Sequence, residues 1–278
     1  MKLSVTFLVF LLSLSLLGQK KYPTKDFRNP LDIKTVLAGT FGELRSNHFH
    51  AGVDIKTQRK EGLNVYAVGD GYVSRIKVAL WGYGKVIYVD HPNGYTSVYA
   101  HLSKFGKGIE DYVKKIQYQK ESYETGNIFP KKGELPVKKG QVIAFTGSTG
   151  GFVAPHLHYE IRNTNTEKII NPFLFGLKVK DTIPPKIKGL FVYPLSDSSR
   201  VNHQTNKTLL AFKKIKENSY TTNRITAKGP IGFGIHVYDL LNNARNKNGI
   251  YSIEMKVNGH HVYYHDVETF SFSESKFI

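Results

Sequence analysis

The residues with the most chemical potential lie in three short stretches. In residues 154–162, Ala-Pro-His-Leu-His-Tyr-Glu-Ile-Arg, polar and apolar side chains alternate with the period of a half-buried strand. His156, His158 and Glu160 then share one face, and Leu157, Tyr159 and Ile161 the other. Two imidazoles stacked this way form either a metal corner or a buried polar defect. Upstream, His50-Ala51-Gly52-Val53-Asp54 sets His50 and Asp54 an even number of residues apart. In an extended segment they share a face, and Gly52 between them leaves room for an ion. His101, in Tyr99-Ala100-His101-Leu102, ends a strand on the same face as Tyr99. The other histidines (His48, His91, His203, His236, His260, His261 and His265) lack such neighbours and read as surface or capping residues.

The chain contains no cysteine. That excludes disulfides, thiolate catalysis and lipid attachment through a cysteine, and leaves any metal to be held by His, Asp and Glu, a donor set suited to zinc. His50, Asp54 and one histidine of the His156/His158 pair supply three ligands, with a fourth position left for water. A zinc ion brings the pKa of its water down to about 7. The other histidine of the pair and His101 remain to take that proton and to protonate a leaving amine.

These residues need a scaffold, and the sequence around them reads as short strands separated by glycine turns. Residues 63–68 and 72–78 flank Gly69-Asp70-Gly71, and residues 86–89 and 95–100 flank His91-Pro92-Asn93-Gly94. Residues 142–146 lead into Gly147-Ser148-Thr149-Gly150-Gly151 and the His-x-His strand. The spacing predicts an antiparallel β-sandwich or barrel-like domain over residues 37–180. One insert, 106–136, departs from it: Ile109, Tyr112, Val113, Ile116 and Tyr123 recur at helical spacing, so an amphipathic helix is expected as a lid, a groove wall or the cover of a sheet edge.

Residues 1–18 read as a signal peptide, with Lys2 before a short apolar run, and residues 19–36 as a strap leading into the fold. After a stiff linker around Pro184-Pro185, strand-like segments continue to the last residue. Residues 181–278 are expected to form an immunoglobulin-like β domain that is incomplete, the product of truncation. Apolar residues at 40% suffice for a core. The formal charge of +17 implies either attraction to polyanions or a generally basic surface kept for solubility. With an export signal, the polyanions are anionic envelope polymers rather than nucleic acid, and no membrane span is expected once the signal is removed.

The motifs together resemble a known family. His50-x-x-x-Asp54, Tyr99-Ala100-His101-Leu102, Gly147-Ser148-Thr149-Gly150 and Pro155-His156-Leu157-His158-Tyr159-Glu160 are similar to the signatures of the M23 (lysostaphin/LytM-type) zinc metallopeptidases. The framing segments 65–73, Gly82-Tyr83-Gly84 and 137–143 agree as well, and the resemblance covers residues 40–175. It implies a small antiparallel β-sandwich binding one zinc ion through His50, Asp54 and His158, with His101 and His156 as catalytic non-ligands. It also implies a substrate: stem-peptide cross-links or bridges of bacterial peptidoglycan, in the periplasm, the cell envelope or outside the cell. Two departures stand out. The insert 106–136 is longer than in minimal members. Where some members carry an oxyanion-binding tyrosine, this chain reads Glu43-Leu44-Arg45-Ser46-Asn47, making Arg45 and Asn47, together with Tyr99, candidates for oxyanion or substrate contacts. The signal peptide, insert and Pro-Pro linker resemble longer envelope peptidases of Gram-negative type. The alternative function is a non-catalytic LytM-type scaffold or activator of another wall hydrolase; such members usually lack a ligand, whereas all five key positions are filled here.

Overall fold

A computed structural model describes residues 22–151 and 154–276. The expected signal peptide and the start of the strap lie outside the described residues. In chain order the first region contains β1 (Leu37–Gly39), β2 (Val53–Lys56), β3 (Asn64–Tyr66), β4 (Gly71–Val78), β5 (Lys85–Asp90), β6 (Tyr95–Ala100) and β7 (Leu102–Phe105). Helix α1 (Lys107–Lys120) follows, then β8 (Gly126–Ile128), β9 (Pro136–Val137), β10 (Val142–Thr146), β11 (His156–Asn163), β12 (Ile169–Ile170) and a 3-10 turn at Pro172–Phe175.

The main sheet runs β1-β2-β11-β6-β5-β4-β8, with every pairing antiparallel. A smaller sheet, β3-β10-β7, contributes Val65, Leu102, Phe105, Ile143 and Ala144 to the same core as Leu157, Tyr159 and Ile161 of the main sheet. The fold is mostly β, as the alternation predicts. Strand β11 lies between β2 and β6, and its register sets His158 opposite Asp54 on one side and Ala100 on the other. The two faces of the main sheet differ. Ile87, Val89, Tyr99 and Tyr159 point into the core, while Val86, Tyr88, Val98 and Ala100 form a smaller apolar patch with Tyr83 on the opposite face.

Within the insert, α1 buries Ile109 and Val113 and half-buries Tyr112 and Ile116 against the core, the stripe its spacing predicts. Tyr123 lies beyond the helix and is half exposed. Glu121, in the left-handed region at φ 49°, ends the helix, and the Ser122 amide donates to the Gln117 carbonyl at 3.1 Å. Strands β8 and β9 pair with β4, so the insert extends the edge of the main sheet.

The later region is β throughout: β13 (Lys186–Pro194), β14 (Arg200–Val201), β15 (Thr208–Leu210), β16 (Phe212–Lys216), β17 (Ser219–Thr222), β18 (Ala227–Lys228), β19 (Ile231–Tyr238), β20 (Ser252–Val257), β21 (His260–Asp266) and β22 (Thr269–Phe270). It forms a three-stranded sheet, β15-β13-β19, and three two-stranded ribbons, with a small core of Val192, Val201 and Leu210 from β13, β14 and β15. The chain then returns to the first region. Strand β22 pairs with β12, the Asn171 amide donates to the Glu268 carbonyl at 2.9 Å, and Phe270 packs on Phe41 and Phe49 at 5.0 and 6.1 Å. Among the described residues, no helix is long and apolar enough to cross a membrane.

Candidate metal centre and active site

Pairing of β11 with β2 brings three buried donors to one point. His50 Nε2 lies 3.1 Å from Asp54 Oδ1 and 3.1 Å from His158 Nδ1, and His158 Nδ1 lies 3.0 Å from Asp54 Oδ1. Each of the three residues is under a tenth exposed. Gly52, between two of them, is required for a different reason than room for an ion. A Cβ there would stand 2.4 Å from the Tyr159 carbonyl oxygen, so glycine lets β2 and β11 approach closely.

The nitrogen of each ring that faces away from this point has an acceptor. His50 Nδ1–H donates to the Thr40 carbonyl at 2.8 Å, and His158 Nε2–H to Glu160 Oε1 at 2.8 Å. A carbonyl or carboxylate can only accept, so these contacts fix the tautomers and leave His50 Nε2 and His158 Nδ1 directed at the shared point. Asp54 Oδ2 accepts from Arg45 Nη2 at 2.8 Å, and the same nitrogen contacts Glu43 Oε1 at 2.9 Å, leaving Oδ1 as the inward oxygen. Two nitrogens and one oxygen, each supported from behind, fit zinc with an open fourth position.

Two further histidines flank this group. His156 Nε2 approaches Asp54 Oδ1 at 3.8 Å while its Nδ1–H donates to the Ala154 carbonyl at 2.9 Å. The His101 ring lies 4.7 Å from that of His156 and 5.7 Å from that of His158. Strand alternation alone would turn His101 into the core with Tyr99. Its backbone instead adopts φ 60°, breaking the alternation between β6 and β7 and turning the ring to the opposite face. The Thr149 carbonyl then accepts His101 Nδ1–H at 3.0 Å. This gives the Gly147–Gly150 segment its role: Thr149 Oγ1 donates to the Leu102 carbonyl at 2.8 Å and accepts from the Lys85 amide at 3.0 Å, holding the loop over His101.

The electrostatics follow from burial and pairing. Burial, reinforced by the positive charge His158 and His156 can carry, pushes His101 down to about 3, so it stands neutral near neutral pH. Burial would raise Asp54, but hydrogen bonds from His158 and His50 hold its carboxyl well below the usual range. Burial would lower His158, but Asp54 and Glu160 raise it to about 9. For Glu160, burial is outweighed by Arg162 and His158, and the carboxyl sits at about 2.

Of the other expected contacts, Arg45 reaches the site through Asp54. Asn47 is exposed and accepts from its neighbour His48 at 2.7 Å, and is not brought to the site. Tyr99 is a correction: it is fully buried on the core face, where its hydroxyl accepts from the Val68 amide at 3.0 Å and shares a hydrogen bond with Ser97 Oγ at 2.9 Å. Period two puts Tyr99 and His158 on opposite faces of the sheet. His91, expected on the surface, is buried too; its Nδ1–H donates to the Asp70 carbonyl at 2.8 Å and its Nε2 accepts from Ser97 Oγ at 2.7 Å.

Sequence reasoning assigned no role to Glu160 or Tyr83. The even spacing of Glu160 from His158 was a usable signal. Tyr83, whose hydroxyl donates to Glu160 and whose ring lies 5.2 Å from that of His158, arrives from a loop with no such sign.

The region that forms this site is similar to known proteins. Residues 48–127 match Peptidase family M23. The DD-carboxypeptidase/endopeptidase Mpg of Neisseria meningitidis is 34% identical over 119 residues, which is 43% of this chain and 21% of that protein. The peptidoglycan DD-endopeptidase ShyB of Vibrio cholerae is 33% identical over 112 residues, 40% of this chain and 20% of that protein. A zinc-containing peptidase from Vibrio cholerae is similar in structure at a TM-score of 0.39 and 26% identity, covering 56% of this chain and 41% of that one. The chain spans about a fifth of the length of the first two relatives. Over residues 48–127 it is therefore similar to the M23 peptidase family. The family match takes in His50, Asp54 and His101 but ends before the His-x-His strand, which joins them only through the pairing of β11 with β2 and β6.

Proposed function

We propose that this protein is a zinc-dependent endopeptidase that hydrolyses peptide cross-links of bacterial peptidoglycan in the cell envelope. The observation that carries the reading is the convergence of His50 Nε2, Asp54 Oδ1 and His158 Nδ1, with His101 and His156 beside them and each ring's remaining nitrogen tied to an acceptor. Among the relatives, ShyB is described as a peptidoglycan DD-endopeptidase. The strongly basic chain suits an anionic wall.

His50, Asp54 and His158 would hold the zinc, which when bound supplies Lewis acidity and a water activated near neutral pH. His101, neutral and donating through Nδ1, presents Nε2 as a proton acceptor. His156, with Nδ1 likewise occupied, presents Nε2 on the same side of the site. The two rings together can take a proton from the attacking water, hydrogen-bond the oxyanion and return a proton to the departing amine. Arg45 is engaged by Asp54 and Glu43, so its part is to orient Asp54.

Mass spectrometry of fragments released from purified peptidoglycan tests the reading. Cross-linked stem peptides should be cleaved, chelator should stop release and added zinc restore it, and His50→Ala or His158→Ala should abolish both release and bound metal. Unchanged release and metal content in both variants would overturn it.

A further inference from the structure

A cavity of about 370 Å³ opens on the face of the main sheet opposite the core, beside the metal centre. Its floor is cationic. Arg75 of β4 lies 3.7 Å over the Tyr88 ring, and Arg162 of β11 is sandwiched between Tyr88 at 5.1 Å and Phe272 at 4.5 Å. Arg162 pairs with Glu160 at 2.7 Å, and Glu167 bridges the two arginines at 3.0 and 2.8 Å. Lys77, exposed on the same strand as Arg75, also lines the cavity. Three cations thus face two carboxylates, which leaves an excess positive charge partly walled off from water.

The walls are aromatic. Trp81 and Tyr83 form the side next to the active site, and Tyr83 belongs to both places, since its hydroxyl also donates to Glu160 behind His158. The far wall is Phe272, carried in by the return of the chain after β22. That residue lies outside the segment matching the family.

We infer that this cavity is a substrate subsite for a carboxylate-bearing residue of the peptide close to the scissile bond, with Lys77 and Arg75 receiving the carboxylate and Phe272 and Trp81 packing on the adjacent chain. The inference rests on the proposed peptidase reading and gives it a preference: acidic stem peptides over amidated ones. A guanidinium held between two rings keeps its orientation, so the floor is preorganised, and Lys77 supplies the uncompensated charge.

Trp81 is the only tryptophan in the chain, so its fluorescence reports binding independently of catalysis. The test titrates the zinc-loaded protein with two synthetic cross-linked stem peptides. Both are N-methylated at the scissile amide to prevent turnover, and they differ only in a free or amidated side-chain carboxylate. The carboxylate form should bind about tenfold more tightly. Lys77→Gln should bring the two to near parity, and Phe272→Ala should weaken both while keeping their ratio. Equal affinities in the wild type, a ratio unmoved by Lys77→Gln, or no fluorescence change with either peptide would overturn the subsite. Hydrolysis of the unmethylated peptides separates the two proposals. Preferential binding without cleavage would overturn the peptidase reading and keep the subsite; cleavage with equal affinity would do the reverse.

Discussion

Each donor of the centre is held from behind by a specific partner, Thr40 for His50, Glu160 for His158 and Arg45 for Asp54, and Thr149 holds the neighbouring His101 in the same way. A ring or carboxylate oriented in this way binds without first being ordered, which is why such partners matter to metal affinity nearly as much as the ligands. His91 shows the same device in a purely structural role. It is buried against Phe27 at 4.7 Å, with both ring nitrogens engaged. Burial pushes its pKa below the ordinary 6.5, against a smaller upward pull from the Asp70 carbonyl and Asp90. The sign follows from proton uptake. Above about 6.5 the ring is neutral in both folded and unfolded chains, and its contribution is fully present. As the pH falls through that value, the unfolded chain takes up the proton first and the contribution is lost. His91→Gln should therefore lose most stability relative to wild type at pH 7.5, with the deficit shrinking at pH 5. Urea unfolding at the two values measures this, and a deficit that does not vary with pH would rule out burial of the neutral ring as its cause.

At the scale of elements, the site depends on how β2, β11 and β6 meet, and here the sequence is legible in part. The alternation in residues 156–161 correctly separates His156, His158 and Glu160 from the core, because a period of two is a local property of any strand. The helical stripe of the insert is legible for the same reason. His101 was found by its neighbours but placed by the wrong geometry, because nothing in Tyr-Ala-His-Leu announces a positive φ. Tyr99 was misassigned for a related reason: alternation keeps it in the core, and only the break at His101 takes the histidine ring to the other face. Arg45 and Tyr83 depend on long-range contacts that spacing cannot express. Gly52 sits at the point where β2 and β11 come closest, and its substitution tests this level directly. A Cβ would meet the Tyr159 carbonyl oxygen at 2.4 Å and the Glu160 Cγ at 2.8 Å, so the strands must separate. Gly52→Ala should lower stability by about 1–3 kcal/mol, the usual range for overpacking, and weaken zinc binding by parting Asp54 from His158. Thermal unfolding and competition with a chromogenic chelator measure the two effects. Full zinc affinity in the folded variant would show that the close approach is not what sets the ligand spacing.

At the scale of the whole molecule, the chain leaves the M23-type region, forms its second β region and comes back, and the returning segment braces the loop that leads into His50. Val267 lies against Gly42, where an added Cβ would meet its side chain at 2.9 Å. Phe270 packs on Phe41 and Phe49, and the Ser275 carbonyl accepts from the Phe49 amide at 2.8 Å. Between Phe41 and Phe49 run Glu43 and Arg45, which orient Asp54, and His50 follows directly. Phe270 touches none of the ligands, yet removing its ring takes away the surface on which both ends of this loop rest. Truncating a buried Phe costs about 3–5 kcal/mol, and the cost here should fall below that because Phe270 is only half-buried. The informative readout is zinc affinity rather than stability. Phe270→Ala should weaken zinc binding, measured by chelator competition well below the variant's melting temperature, while Phe270→Leu, which keeps most of the packing, should largely restore it. A Phe270→Ala protein that melts earlier but binds zinc as tightly as wild type would mean that the loop holds its shape alone, and that the returning segment contributes stability without organising the centre.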